Sequence, residues 1–82
     1  MIKILFFGAL RERLQCANLS FELNSPCTVA DVMAQLRQRS PLFADALLDA
    51  NLLYALNQQL CDVQTQVQSG DEVAFFPPVT GG

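Results

Sequence analysis

The last stretch of the chain limits the fold most: Gly70-Asp71-Glu72-Val73-Ala74-Phe75-Phe76-Pro77-Pro78-Val79-Thr80-Gly81-Gly82. Glu72 to Phe76 is dense in apolar and aromatic residues and reads as a strand. Pro77-Pro78 stops it, because proline has no N–H for a sheet ladder and holds φ near −65°. Two prolines in succession favour a stiff, extended path. The chain therefore leaves the body of the protein here rather than turning back. Val79, Thr80, Gly81 and Gly82 can then reach roughly 13 Å at about 3.3 Å per extended residue. They carry no charge except the terminal carboxylate, and the last two have no Cβ. Such an end fits a narrow channel and presents its carboxylate at close backbone approach. Chemistry on a carboxylate needs prior activation, for example as an acyl-adenylate made from ATP. We expect a folded domain over 1–78 and an extended reactive tail over 79–82.

Eighty-two residues make one domain with a modest core. Half of them are hydrophobic, enough for a folded globule. The net charge is −3, and the five basic residues, Lys3, Arg11, Arg13, Arg37 and Arg39, form no dense cluster. That argues against nucleic acid, whose binding rests on phosphate neutralisation. Cys16, Cys27 and Cys61 are odd in number and show no C-x-x-C spacing, and histidine is absent. Neither a disulfide scaffold nor a metal site is expected, and the simplest reading is reduced thiols in a cytoplasmic protein. The apolar run from Met1 to Leu10 is too short for a signal segment and is cut by Arg11-Glu12-Arg13. No stretch approaches the length of a membrane span.

Ile2 to Phe7 reads as the first strand, with Ile2, Ile4 and Phe6 on one face and Lys3, Leu5 and Phe7 on the other. Gly8 ends it, and Ala9 to Leu14 reads as a short helical turn. Leu19 to Leu23 is the second strand, with Leu19, Phe21 and Leu23 inward, and Asn24-Ser25-Pro26 is a turn. Thr28 suits a helix N-cap with Asp31 at N3, and Val29, Val32, Met33 and Leu36 follow at helical spacing. Ser40-Pro41 breaks that helix and starts another, with Phe43, Leu47 and Leu48 inward. Leu52 to Leu56 is a strand, Asn57-Gln58 a tight turn and Gln59 to Cys61 a short strand. Asp62 to Gln68 reads as polar and irregular, and Ser69-Gly70-Asp71 turns into the last strand.

This order is an α+β layer architecture: an early hairpin, one main helix over the sheet, and later strands completing it. Placing the last strand beside the first gives a β-grasp, the ubiquitin-like fold, with a mixed sheet of four to five strands under one main helix plus short helices. Propensity leaves another two-layer sandwich open. In the β-grasp, Leu5, Phe7, Ala74 and Phe76 share an outer face, an apolar patch at the root of the tail. A covering second helix is the alternative for that patch.

The C-terminal stretch from Gly70 to Gly82 resembles the signature of the small, sulfur-carrier subunit of molybdopterin synthase. Ile4-Leu5-Phe6-Phe7-Gly8-Ala9-Leu10-Arg11-Glu12 is similar to that family's first strand and the Arg-Glu after it, as is Leu56-Asn57-Gln58. The resemblance is loose from Cys16 to Asn51. It implies that an E1-like activating enzyme, using ATP and Mg²⁺, adenylates the carboxylate of Gly82. Sulfur from a persulfide donor then replaces AMP to give a thiocarboxylate. The tail enters the large synthase subunit, which builds a heterotetramer, and donates sulfur to cyclic pyranopterin monophosphate for molybdenum cofactor biosynthesis. By position, Gly82 bears the reactive carboxyl, Gly81 gives access, and Val79 and Thr80 line the threaded tail. Phe7, Leu60 and Phe76 correspond to an apolar partner surface, and Arg11 to an ion pair with the partner or a solvated arginine. The small subunit binds no cofactor and has no active site of its own. A thiamine-pathway sulfur carrier, a ubiquitin-like protein modifier joined to lysines through Gly82, and a plain interaction module are the alternatives.

Overall fold

The structure, a computed structural model, describes residues 1–22, 27–48 and 52–77. In chain order the elements are β1 (Ile2–Phe6), α1 (Gly8–Leu14), β2 (Asn18–Phe21), β3 (Cys27–Thr28), α2 (Val29–Arg37), α3 (Pro41–Ala46), β4 (Leu53–Leu56), β5 (Gln59–Cys61), β6 (Gln66–Val67) and β7 (Glu72–Phe76). Five strands form one sheet in the order β2-β1-β7-β4-β5, and β3 pairs with β6 apart from it. β1 and β7 run parallel, with Leu5 beside Ala74, while β7 and β4 run antiparallel. The last strand thus lies at the centre of the sheet beside the first, the mixed β-grasp arrangement expected.

Alternation along these strands sends one row of side chains to the helices. Ile2, Ile4, Phe6, Val73 and Phe75 are buried with Val29, Val32 and Leu36 of α2. The Phe6 ring lies 5.9 Å from those of Phe75 and Phe43, stacked on the first and edge-on to the second. Helix α2 starts where its capping box dictates. The Asp31 N–H donates to Thr28 Oγ1 at 3.3 Å, and the Thr28 N–H donates to the Asp31 carboxylate at 3.0 Å. Two otherwise orphaned donors are satisfied, an arrangement that contributes about 1 kcal/mol. Ser40 caps α3 by accepting from the Phe43 N–H, with Pro41 in the first turn.

Four expectations are corrected. β1 and β2 are antiparallel neighbours, but a full helix joins them instead of a hairpin turn. Leu10 and Leu14, one turn apart on α1, are buried and make it a core element. Leu47 is buried as expected, but Leu48 is 64% exposed. The helix has already ended at Ala46 there, so helical spacing no longer governs the next side chain. Asp62 to Gln68 is not all irregular, since Gln66–Val67 pairs with Cys27–Thr28 and Val67 is fully buried. Finally, the first strand stops at Phe6, and the second starts one residue early, at Asn18. The expected inward Phe21 side chain, Leu23, the turn at 24–26 and the 78/79 domain boundary lie outside what is described.

Candidate functional site

The face of the sheet away from the helices carries the other alternation. Leu5, Ala74, Ala55 and Leu60 stand beside one another across β1, β7, β4 and β5, as their registers require. Leu53 is paired with Phe76 one step further along. Two alanines in the middle of this row leave a low floor, and larger side chains rise around it. The result is a depression of about 350 Å³ lined by Leu5, Phe7, Ala55, Leu60, Ala74 and Phe76, with Gln58 and Glu72 at its polar edge. A wider hollow, about 520 Å³, lies beyond the β5 edge against Asp62 and Thr65, away from the end of β7.

Three of the residues singled out from sequence meet here. The Phe7 and Phe76 rings stack at 4.9 Å and 8°, a pairing worth about 0.5–1.5 kcal/mol beyond its buried area. Phe7 is itself exposed, and Leu60 is 77% exposed. No helix among the described residues covers this face, so the alternative of a covering second helix fails; α3 packs on Phe6 from the opposite side. Exposed aromatic and aliphatic residues around a small floor are what a partner surface needs. Leu53 and Ala55 belong to it as well. Sequence alone did not identify them, because apolar residues occupy both faces of β4 and alternation there is silent. Register with Ala74 and Phe76 is what assigns them.

Arg11 lies on the exposed side of α1, one turn beyond Phe7. Among the described residues its guanidinium meets no carboxylate, whereas Arg13 pairs with Asp45 of α3. Among the described residues Arg11 is thus a cation without a carboxylate partner, one turn beyond Phe7.

At the end of β7 the chain is gripped from one side. The Phe7 N–H donates to the Phe75 carbonyl at 3.2 Å, and Pro77 lies against Gly8. The start of β7 is fixed by Asn57, which sits in the Asn57-Gln58 turn at positive φ. Its side-chain carbonyl accepts from the Glu72 N–H at 3.0 Å, and its amide donates to Asp71 at 3.1 Å. Val79, Thr80, Gly81 and Gly82 lie outside the described residues.

The cysteines do not converge on this face. All three are free. Burial, helped by Asp31, pushes the Cys27 thiol above its ordinary value. Burial also raises Cys61, with Asp62 adding to it and a hydrogen bond to Thr65 opposing it. Raised thiols are poor nucleophiles at neutral pH. Among the described residues no group of three His, Cys, Asp or Glu side chains could hold a metal, and no helix is long and apolar enough to cross a membrane.

Comparison with known proteins agrees with this geometry. The ThiS family matches residues 4–82. The molybdopterin synthase sulfur carrier subunit of Escherichia coli (strain K12) is 43% identical over 82 residues, covering 100% of both chains. In a protein–protein complex of subunits 1 and 2 of molybdopterin-converting factor from Helicobacter pylori 26695, one chain superposes with a TM-score of 0.67 at 27% identity, covering 99% of this chain and 97% of that one. The crystal structure of SAMP1 from Haloferax volcanii superposes at 0.80 with 24% identity, covering 99% and 98%, and shares the fold. The chain therefore belongs to the ThiS family, alongside the molybdopterin synthase sulfur carrier subunit that it matches from end to end.

Proposed function

We propose that this protein is the sulfur-carrier subunit of a molybdopterin synthase, and that its reactive group is the carboxylate of Gly82. The observation that carries the reading is the uncovered apolar face at the end of β7, from which a Pro-Pro step leads to Gly81-Gly82. The end-to-end similarity to the sulfur carrier subunit supports it.

In this reading an E1-like enzyme docks the face and uses ATP and Mg²⁺ to convert the Gly82 carboxylate into an acyl-adenylate, releasing pyrophosphate. Persulfide sulfur attacks the acyl carbon and AMP leaves. A thiol then reduces the resulting acyl disulfide and frees the thiocarboxylate. The same face docks the large subunit, the tail threads into it, and the sulfur passes to cyclic pyranopterin monophosphate. Phe7, Leu60 and Phe76 supply the apolar contact, and Arg11 supplies charge at its rim. Val79 and Thr80 line the threaded tail, and Gly81 lets the backbone approach closely. The carrier binds no cofactor itself, its three thiols suit the reducing cytoplasm, and two carriers with a large-subunit dimer complete the heterotetramer.

The test is intact mass after incubation with the cognate activating enzyme, ATP and a sulfur donor. Exchange of one oxygen for sulfur adds about 16 Da, on Gly82. Deleting Gly82 abolishes the gain and leaves the fold intact. No gain with an enzyme shown to be active overturns the reading and directs the search to lysine conjugates.

A further inference from the structure

We infer that Gly8 is a positioning residue for the tail. It forms a seat for the Pro77 ring and so sets the direction in which the chain leaves the sheet. This rests on the carrier reading above for its use, though not for its geometry.

Three observations on described residues carry it. Gly8 has φ +60°, the left-handed region that glycine enters freely. A Cβ built on Gly8 meets Pro77 Cγ at 3.1 Å, closer than side chains ordinarily pack, and Pro77 Cδ at 3.5 Å, an ordinary contact. The Phe7 N–H holds the Phe75 carbonyl, and the Phe7 ring stacks on Phe76. Phe7 and Gly8 thus touch three successive residues, Phe75, Phe76 and Pro77, at the point where the strand gives way to the tail.

Parallel pairing explains why these residues meet. β1 and β7 end side by side at the same end of the sheet. There one chain must turn into α1 while the other must continue outward. Gly8 serves both: its positive φ makes the turn, and its missing side chain leaves room for the outgoing proline. The ring is fused to its own backbone nitrogen, so crowding at Cγ is passed to the chain unless the ring repuckers. Five residues follow Pro77, a reach of at most about 16 Å. A change of direction at Pro77 alters where those residues can go, and misplacement of a reacting group by about 1 Å can cost up to about a hundredfold in rate.

A double-mutant cycle separates this contact from backbone strain. Gly8→Ala carries the φ strain in any background, but it crowds residue 77 only while the proline ring is there. Four proteins are compared: wild type, Gly8→Ala, Pro77→Ala and the double variant. Residual dipolar couplings of the Val79 to Gly82 amides read the tail's direction, and kcat and KM for the 16 Da gain read its use. Gly8→Ala should change the couplings and lower kcat about tenfold with KM within about twofold. In the Pro77→Ala background the same substitution should change neither. Circular dichroism gives the folded fraction of each variant. A Gly8→Ala effect equal in both backgrounds, or a loss of rate that follows folded fraction alone, overturns the seat. So do unaltered couplings, even where wild type takes up sulfur. A wild-type chain that gains no sulfur sinks the carrier reading instead, and the couplings alone then decide the seat.

Discussion

Val73 and Phe75 of β7 are fully buried on the helix side of the sheet, whereas Ala74 and Phe76, the alternate residues, belong to the face that meets solvent. Both sets are apolar, so hydrophobicity does not distinguish them. What differs is company. Phe75 packs against Phe6 and edge-on to Tyr54 within the core. Among the described residues, Phe76 has the ring of Phe7 alone stacked on it and an open depression beside it. The first face is settled by folding; the second is the one the proposed function gives to a partner. On that reading a single five-residue strand carries stability on its odd positions and recognition on its even ones.

That division should break most visibly at Phe75. Phe75→Ala empties a core site lined by other rings and should cost about 3–5 kcal/mol, a large share of what a small domain has. Urea unfolding measures it, and a change below about 1 kcal/mol would show that Phe75 is not the centre of the core. Next comes Phe76→Asp. It places a charge on the outer face and should weaken binding to the large subunit by about 2 kcal/mol or more, roughly thirtyfold, while the lost stack on Phe7 costs stability about 1–2 kcal/mol, well below the cost of Phe75→Ala. Calorimetric titration beside a thermal melt reads both; the reverse pattern would exchange the roles assigned to the two faces.

The smallest effect sharpens the same division on β5, where Leu60 faces outward and Cys61 packs against the core. The Cys61 and Cys27 thiols hold their protons more tightly folded than unfolded. Their contribution is complete below the ordinary thiol value of 9.0 and is lost as pH rises through the higher folded values. The urea midpoint should therefore decline as pH is raised above about 9. In Cys27→Ser/Cys61→Ser the decline should shrink; an identical decline there would assign it to other groups.

Local rules read much of this molecule from its sequence. Thr28 with Asp31, and Ser40 with Pro41, name helix starts because a cap is a contact between near neighbours. β7 is legible because four apolar residues in a row, Val73 to Phe76, end at a proline. What sequence could not supply was contact between distant segments. β6 is two residues long, too short for any period, and only its pairing with Cys27–Thr28 makes it a strand. Alternation within three residues cannot say which way Leu60 points; its place opposite Ala55 does. Leu53 was hidden for a related reason, since β4 is apolar on both sides. The outer pair Phe7 and Phe76 was legible once the first and last strands were taken as neighbours, and Leu60 came only through resemblance.

The central place of β7 also has a consequence for synthesis. A ribosome makes chains from the N-terminus, yet the strand between β1 and β4 is the last of the described strands to be made. Until Glu72–Phe76 is free of the tunnel, β1 and β4 have no neighbour to join them, and Phe6 lacks the ring it stacks on. Closure of the sheet therefore waits for that strand. A chain cut short before Phe76 lacks the tail and also lacks the strand that closes the sheet. Placing the central strand last among the described strands makes closure of the sheet depend on it.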